Sequence, residues 1–192
     1  MKKIIGLTGP TGSGKSTFGS VAEKVGIRVI NCDAVAKAVS QKAEIMAALA
    51  KQFGQDIIKD GALLRPLLAE RAFSSPDNTE NLNKIMLPAV VNEIKSMLGD
   101  DTVILDAPTL YESGLDSECD TVVAVLASEK LRKERITERD SLTDKAAERR
   151  LSAAKPDSFF EGRADYVIYN DGDEQEFKTK TIALLREITE EN

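Results

Sequence analysis

Five short, nearly continuous apolar runs recur along the chain, each bounded by turn residues. They lie at Lys3–Thr8, Ile27–Asn31, Thr102–Ala107, Thr121–Leu126 and Asp165–Tyr169. Runs of this length and character are typical of strands that are buried on both faces. Amphipathic helical patterns separate the runs. This alternation predicts an α/β fold with a five-stranded, mainly parallel sheet that helices flank on both sides.

The second and third runs are separated by an unusually long segment, residues 32–101. A parallel crossover needs only about a dozen residues, so this segment contains an insertion. Its apolar residues recur at helical spacing, and it follows a strand end, where ligands of open α/β sheets bind. We predict a helical subdomain over residues 34–98 that binds a second substrate, and a core of residues 1–33 and 99–192.

The first run leads into a glycine-rich segment, residues 9–17, that fits the pattern G-x-x-x-x-G-K-[ST] at every fixed position. A helical pattern over Lys15–Val25 follows it, and a strand, a glycine loop and a helix in this order form a phosphate cradle. A glycine-rich turn without a ligand is the disfavoured alternative. The residues predicted to bind a nucleoside triphosphate are Gly9, Gly12, Ser13, Gly14, Lys15, Ser16 and Thr17. Lys15 would reach the β- and γ-phosphates, and the Ser16 hydroxyl would bind Mg²⁺.

Two aspartates, Asp33 and Asp106, each come at the end of an apolar run and so lie at the carboxyl edge of the predicted sheet. Asp33 suits the role of a base that accepts the proton of an acceptor hydroxyl. It equally suits the role of N-cap for a helix that starts at Ala34, and the two roles are compatible. Asp106 resembles the acid that supports Mg²⁺ in P-loop proteins. The alternative for Asp106 is turn chemistry ahead of Pro108.

Arginines are concentrated in the segment between residues 132 and 163. They are Arg132, Arg135, Arg139, Arg149, Arg150 and Arg163. A solvated helix balanced by glutamates explains any one of them equally well. As a group they indicate a lid over about residues 139–163, in which a helix at Leu142–Ala154 brings arginines onto the triphosphate.

Three further residues in loops that follow predicted strands have weaker patterns. Tyr111 and Glu112 follow the third strand. They are equally well explained as ligand contacts or as a packed aromatic and a surface acid, respectively. Asn170 follows the last strand and precedes Asp171-Gly172, which is typical of a turn. Its place near the nucleotide edge keeps contact with adenine open.

The formal net charge of −6 disfavours a surface that binds nucleic acid. The two cysteines, Cys32 and Cys119, lack a metal-ligand spacing and do not indicate a disulfide scaffold, so we expect a reducing cytoplasm. No apolar run approaches the roughly 18 residues of a membrane helix. We expect no nucleic acid and no membrane as partners. Our further expectations are small-molecule partners and a monomer or weak homo-oligomer.

Taken together, the motifs resemble those of the dephospho-CoA kinase family, from Ile4 to about Glu187. The resemblance is carried by residues 6–9 with 12–17, Cys32-Asp33-Ala34, Asp60-Gly61 with Arg65, Ala72-Phe73-Ser74, residues 105–115 (Leu-Asp-Ala-Pro-Thr-Leu-Tyr-Glu-Ser-Gly-Leu), Arg139-Asp140, and residues 163–170 (Arg-Ala-Asp-Tyr-Val-Ile-Tyr-Asn). It implies ATP-dependent phosphorylation of the ribose 3′-hydroxyl of dephospho-CoA, with Mg²⁺, on a nucleotide core with a helical acceptor domain and a lid.

The resemblance also implies a role for individual residues. Asp33 would be the base, Lys15 and Arg139 would stabilise charge, and Asn170 would lie beside adenine. The residues implied to bind substrate are Asp33, Arg65, Asp106, Pro108, Tyr111 and Glu112. The sequence departs from the family pattern at Lys37, Leu87, Ala154 and Phe160, all of which fall in the acceptor domain or the lid.

Overall fold

The computed structural model describes residues 2–190 of the chain. Within them the strands are β1 (Ile4–Thr8), β2 (Arg28–Asn31), β3 (Ile58–Lys59), β4 (Ala62–Leu63), β5 (Val103–Asp106), β6 (Thr121–Leu126) and β7 (Tyr166–Tyr169). The helices are α1 (Lys15–Lys24), α2 (Cys32–Val39), α3 (Ala43–Phe53), α4 (Arg65–Ala72), α5 (Pro76–Met97), α6 (Glu129–Asp140), α7 (Asp144–Ser152), α8 (Asp157–Glu161) and α9 (Glu174–Glu190). Single 3₁₀ turns lie at Gln55–Ile57 and Leu115–Glu118.

The main sheet has five strands in the spatial order β2-β5-β1-β6-β7. β1 pairs in parallel with β5 and with β6, and β6 pairs in parallel with β7. Each predicted apolar run contains one of these strands. The prediction of an α/β fold with a five-stranded, mainly parallel sheet flanked by helices is therefore confirmed.

The chain divides into two compact units. One comprises the residues up to Ile30 together with those from Asp100 onward, and the other comprises Asn31–Gly99. The first unit holds four strands of the main sheet and most of β2. The second holds α2 to α5 with β3 and β4.

The core of the first unit forms where β1 and β6 pack against α1 and α9. Its fully or almost fully buried residues include Ile5, Leu7, Phe18, Ala22, Val123, Val125, Phe177, Leu185 and Ile188. β1 lies at the centre of the sheet, between β5 and β6. Its successive residues from Ile5 to Thr8 are all buried, so both of its faces are covered. This burial fixes the strand end from which the glycine-rich segment departs.

The second unit has a core of its own, made by α3, α4 and the strands between them. Its buried residues are Leu49, Ala50, Phe53, Ile57, Leu63, Leu68 and Ala72. The sequence predicts only helices here, whereas β3 and β4 form an antiparallel hairpin. Asp60 and Gly61 make its two-residue turn, with φ of 51° and 76°. Asp-Gly suits a turn of this kind because both positions need positive φ.

Among residues 2–190, none of the helices has the length and apolar character that crossing a bilayer requires.

Candidate active site

The segment Gly9–Gly14 joins β1 to α1 and forms the loop that we call the P-loop. Gly14 stands at the N-cap of α1 with φ 110°, and it supplies no side-chain cap. The first turn of α1 also lacks an acidic residue. The N–H groups of this turn and the positive end of the helix dipole thus remain available to an anion.

The P-loop packs closely on its own scaffold at two glycines. A Cβ at Gly9 would lie 2.1 Å from the Val125 carbonyl oxygen of β6, and one at Gly12 would lie 2.8 Å from the Arg132 carbonyl oxygen of α6. Both residues also have positive φ, 136° and 79°. These positions require glycine because the backbone of the loop lies directly against β6 and α6.

Two side chains fit a phosphate ligand: that of Ser13 in the P-loop and that of Lys15 at the start of α1. Ser13 is fully buried, and its Oγ has no hydrogen-bond partner within the described residues. Lys15 is half-buried, and its Nζ donates hydrogen bonds to the carbonyl oxygens of Gly9 at 2.6 Å and Pro10 at 3.1 Å. A buried hydroxyl without a partner carries a desolvation penalty that an anionic ligand would relieve. Beyond Lys15, Ser16 is exposed and Thr17 is half-buried at the start of α1.

The strand end at Asp106 lies beside the strand end that leads into the P-loop. In the parallel pairing of β1 with β5, Asp106 is opposite Leu7. The Ala107 N–H then donates to the Leu7 carbonyl at 3.0 Å, and the Thr8 hydroxyl donates to the Pro108 carbonyl at 3.4 Å. The structure therefore brings Asp106 and Pro108 together with Leu7 and Thr8, the two residues that precede the P-loop. Their contact with substrate stays a prediction.

Tyr111 packs toward α8. Its ring meets Phe159 edge-on, with 5.8 Å between the ring centroids, and its hydroxyl is buried without a partner among the described residues. Burial raises the pKa of Tyr111 to about 12, and the nearby carboxylates of Asp116 and Asp165 add to this shift. Glu112 is exposed.

Arg139, which is predicted to stabilise charge, lies in the last turn of α6. It is hydrogen-bonded to its neighbour Asp140. Its Nε and Nη2 donate to the two carboxylate oxygens of Asp140 at 2.8 and 2.9 Å, and Arg150 of α7 donates to the same carboxylate at 2.6 Å. These hydrogen bonds, led by the one from Arg139, hold the pKa of Asp140 below its ordinary value. Asp140 thus joins the end of α6 to α7.

The region predicted as a lid is helical. Thr143 caps α7 by accepting from the Ala146 N–H at 3.3 Å, and α7 lies within the predicted helix Leu142–Ala154. Phe160, one of the departures from the family pattern, is buried with Ala124 and Leu126 and is a core residue. Movement of this region onto a triphosphate stays a prediction.

The base candidate, Asp33, is the second residue of α2 and is exposed. The side chain that caps α2 is that of Asn31, which accepts from the Ala34 N–H at 2.8 Å. The alternative that Asp33 caps a helix starting at Ala34 is therefore wrong. Asn31 takes this role because α2 begins at Cys32, two residues earlier than the sequence pattern indicates.

Arg65, in the same unit as Asp33, begins α4. Its Nη2 donates to the Lys37 carbonyl at 2.9 Å and to the Ser40 hydroxyl at 3.0 Å. The guanidinium thus satisfies carbonyl and hydroxyl groups at the C-terminal end of α2. This contact ties α4 to the helix that carries Asp33.

Asn170 is almost fully buried, with 6% of its surface exposed, instead of forming an open turn. Its Nδ2 donates to the Ser13 carbonyl at 2.8 Å, and Arg135 Nη2 donates to the Asn170 carbonyl at 2.9 Å. The sequence pattern indicates Arg135 only as one of the arginines between residues 132 and 163. The available signal was its place on the same helical face as Arg132 and Arg139.

A family model and the relatives with curated names indicate the same family. A family model described as "Dephospho-CoA kinase" matches residues 3–176. A protein named dephospho-CoA kinase from Syntrophotalea carbinolica is 33% identical over 190 residues, which cover 95% of this chain and 90% of that protein. A crystal structure from Thermus thermophilus has a TM-score of 0.81 at 30% identity and covers 97% of each chain. A dephospho-CoA kinase structure from Campylobacter jejuni has a TM-score of 0.72 at 23% identity, covering 99% of this chain and 98% of that one, and supports the fold.

Proposed function

Because the chain belongs to the dephospho-CoA kinase family, we propose that it transfers the γ-phosphate of ATP to the ribose 3′-hydroxyl of dephospho-CoA, the last step of coenzyme A synthesis. The observation that carries this proposal is the P-loop at the head of α1, in a chain whose family match extends over residues 3–176. The partners are thus two small molecules. We further propose a monomer or weak homo-oligomer that acts in the cytoplasm, without nucleic-acid or membrane partners.

The triphosphate binds at the P-loop and the first turn of α1. The ligand set is Gly9, Gly12, Ser13, Gly14, Lys15, Ser16 and Thr17. Lys15 moves its ammonium from the loop carbonyls to the β- and γ-phosphates, and Arg139 supplies further positive charge from α6. Charge that develops during phosphoryl transfer is stabilised most strongly by cations fixed in advance.

Mg²⁺ fits the oxygen donors that this site offers. The Ser16 hydroxyl and the Asp106 carboxylate are hard oxygen ligands of the type that Mg²⁺ prefers, and they would hold it together with phosphate oxygens and water. When bound, Mg²⁺ neutralises part of the charge on the β- and γ-phosphates. The protein's own contribution is to orient those phosphates.

Asp33 is the general base. The 3′-hydroxyl oxygen forms a bond to the γ-phosphorus, the bond from that phosphorus to the β,γ-bridging oxygen breaks, and ADP leaves. The hydroxyl proton passes to the Asp33 carboxylate. The cap at Asn31 supports this assignment because it leaves the carboxylate of Asp33 without a capping role. Arg65, Asp106, Pro108, Tyr111 and Glu112 bind the substrates, and Arg65 also holds the helix that carries Asp33.

The test is ADP release with Mg·ATP and one of several acceptors: dephospho-CoA, adenosine, simple nucleosides or none. We expect turnover with dephospho-CoA alone, and a product heavier by one phosphate in its mass spectrum. Lys15→Ala is the matched inactive variant, with kcat lower by about 10²- to 10³-fold because a fixed cation is lost. Turnover with another acceptor, or none with dephospho-CoA, would contradict the proposed acceptor.

A further inference from the structure

We infer that Asn170 and Arg135 are positioning residues that hold the P-loop in its phosphate-binding shape. Neither needs to touch the nucleotide for this role, and both act through the Ser13 carbonyl. The inference rests on the proposed function only in taking the P-loop as the triphosphate site. It is independent of the identity of the acceptor.

The position of Asn170 is fixed by its own backbone. Asn170 directly follows β7, and its N–H donates to the Leu126 carbonyl of β6 at 2.8 Å. Its buried side chain then reaches a loop 157 positions away along the chain, where Nδ2 donates to the Ser13 carbonyl at 2.8 Å. The P-loop is therefore connected by a hydrogen bond to the rigid carboxyl edge of the sheet.

Gly14 makes this approach possible. A Cβ at position 14 would lie 2.1 Å from Asn170 Nδ2, closer than any real contact. The amide of Asn170 thus occupies the space that any larger residue at position 14 would need. Gly14 and Asn170 fit each other, in addition to the demand for glycine that the φ of 110° makes.

Arg135 adds a charged contact on the same side of the loop. Its Nη2 donates to the Asn170 carbonyl at 2.9 Å, and its Nη1 makes longer contacts with the carbonyls of Gly12 at 3.4 Å and Ser13 at 3.5 Å. Arg135 therefore holds the backbone of Asn170 in place. It also attracts the Ser13 carbonyl, to which the Asn170 side chain donates.

The peptide group explains how these contacts act on a phosphate. The Ser13 carbonyl and the Gly14 N–H belong to one planar trans peptide, so they point in opposite directions. Two donors that hold the carbonyl on one side turn the N–H toward the other. Prior orientation of such N–H groups removes the entropy loss of ordering the loop when the anion binds.

This role differs from the adenine contact that the family resemblance implies for Asn170. A base contact would use the second N–H or the Oδ1 of the amide, since the hydrogen bond to Ser13 uses only one N–H. The two roles also predict different ligand dependence. A positioning residue affects every ligand that has phosphates in the P-loop, whereas a base contact affects only ligands that have the base.

The experiment measures the Kd of Mg·ATP and of Mg·tripolyphosphate, which lacks base and ribose, by titration calorimetry of the wild-type protein and of Asn170→Ala. We expect Asn170→Ala to raise the Kd of both ligands by the same factor, about tenfold. A lost hydrogen bond and a loosened loop affect the binding of both ligands alike. A higher Kd for ATP with an unchanged Kd for tripolyphosphate would overturn the inference and favour an adenine contact.

A second pair of variants keeps the test valid if Asn170→Ala does not fold. Arg135→Met should weaken the binding of tripolyphosphate several-fold. Arg135→Lys keeps one donor for the backbone carbonyl of Asn170 and should restore most of the lost affinity. Arg186→Met removes the same charge from the exposed side of α9 and serves as the control. Equal losses for Arg135→Met and Arg186→Met would mean that net charge alone sets the affinity, and the inference would be wrong.

The wild-type protein separates this inference from the proposed function. Tripolyphosphate binding that depends on Asn170, in a protein that does not phosphorylate dephospho-CoA, would support the positioning role and contradict only the acceptor. A wild-type protein that binds neither ATP nor tripolyphosphate would overturn both.

Discussion

Tyr111 combines a buried hydroxyl that has no hydrogen-bond partner within residues 2–190 and a pKa raised to about 12. Both properties follow mainly from burial of the phenol, which packs on Phe159. We predict that Tyr111→Phe leaves the free energy of unfolding at neutral pH unchanged or raises it slightly, because no hydrogen bond is lost. Urea denaturation measures this change.

The pH dependence gives a second readout for the same variant. The pKa of Tyr111 in the folded protein lies above the value of about 10 for an unfolded tyrosine. The contribution of the Tyr111 phenol to the free energy of unfolding is therefore fully present below about pH 10. It is lost as the pH rises from there through about 12. Absorbance at 295 nm after rapid alkaline mixing should show a last ionisation near pH 12 that Tyr111→Phe removes.

Tyr169→Phe is the matched control. The Tyr169 hydroxyl donates to Glu161, and this hydrogen bond is the main cause that raises its pKa. Removing it should lower stability slightly and leave the ionisation near pH 12 in place. A Tyr111→Phe variant less stable than Tyr169→Phe would mean that the Tyr111 hydroxyl has a hydrogen-bond partner in the folded protein, which would contradict the prediction.

Single residues differ in how far the sequence predicts them. Lys15 is predictable because its place is set by a pattern within a few residues. Asn170 and Arg135 are not, because their contacts with the P-loop join segments 157 and 122 positions apart. The sequence pattern at Asn170 is that of a turn, and only the packing of β7 beside β6 shows that it is buried.

The start of α2 separates a structural residue from a candidate base. Asn31 caps the helix, whereas Asp33 lies in its first turn. We predict that Asn31→Ala lowers the free energy of unfolding by about 1 kcal/mol because one first-turn N–H loses its acceptor. Asp33→Asn should cost less than about 0.5 kcal/mol, which is the lost interaction with the helix dipole.

Enzyme kinetics of the same two variants complete this test. Asp33→Asn should lower kcat strongly and leave the Kd of ATP within about twofold, as expected of a base that acts only in phosphoryl transfer. Asn31→Ala should retain most of its kcat. Steady-state turnover of Asp33→Asn within a few-fold of wild type would show that Asp33 is not the base.

Helices and strands with strong periodic patterns are predictable here, and short ones are not. Each strand of the main sheet lies within its predicted run because a short, nearly continuous apolar run bounded by turn residues has few alternatives to a buried strand. β3 and β4 have two residues each, too few for any alternation to be visible. The only available signal for this hairpin was the Asp60-Gly61 pair, which is typical of a tight turn between strands.

For the molecule as a whole, the sequence predicts the class of fold but not the order of the strands. The alternation of strands and helices requires a parallel sheet with covered faces. The observed order β2-β5-β1-β6-β7 places β5, which follows the long insertion, between β2 and β1. That neighbour relation depends on contacts between distant segments, which no local pattern records.

The metal and the nucleotide should stabilise the molecule only together. Ser16 and Asp106 offer one hydroxyl and one carboxylate, whereas Mg²⁺ requires near-octahedral oxygen ligation and retains several waters. We therefore predict that Mg²⁺ alone shifts the thermal unfolding midpoint by less than about 1 °C. Mg·ATP at about 100 times its Kd should stabilise the protein by about 2.7 kcal/mol, which for a chain of this size is about 5–10 °C.

Differential scanning fluorimetry with Mg²⁺, ATP with a chelator, and Mg·ATP distinguishes these cases. ATP without the metal should give a smaller shift, because the phosphate charge is then neutralised only by Lys15 and the arginines near the P-loop. Lys15→Ala should reduce the shift with Mg·ATP, while Asp33→Asn should retain it, since a base acts on the acceptor and not on the triphosphate. A shift of several degrees with Mg²⁺ alone would instead require a metal site formed by the protein without ATP, and the proposed ligand set would be incomplete.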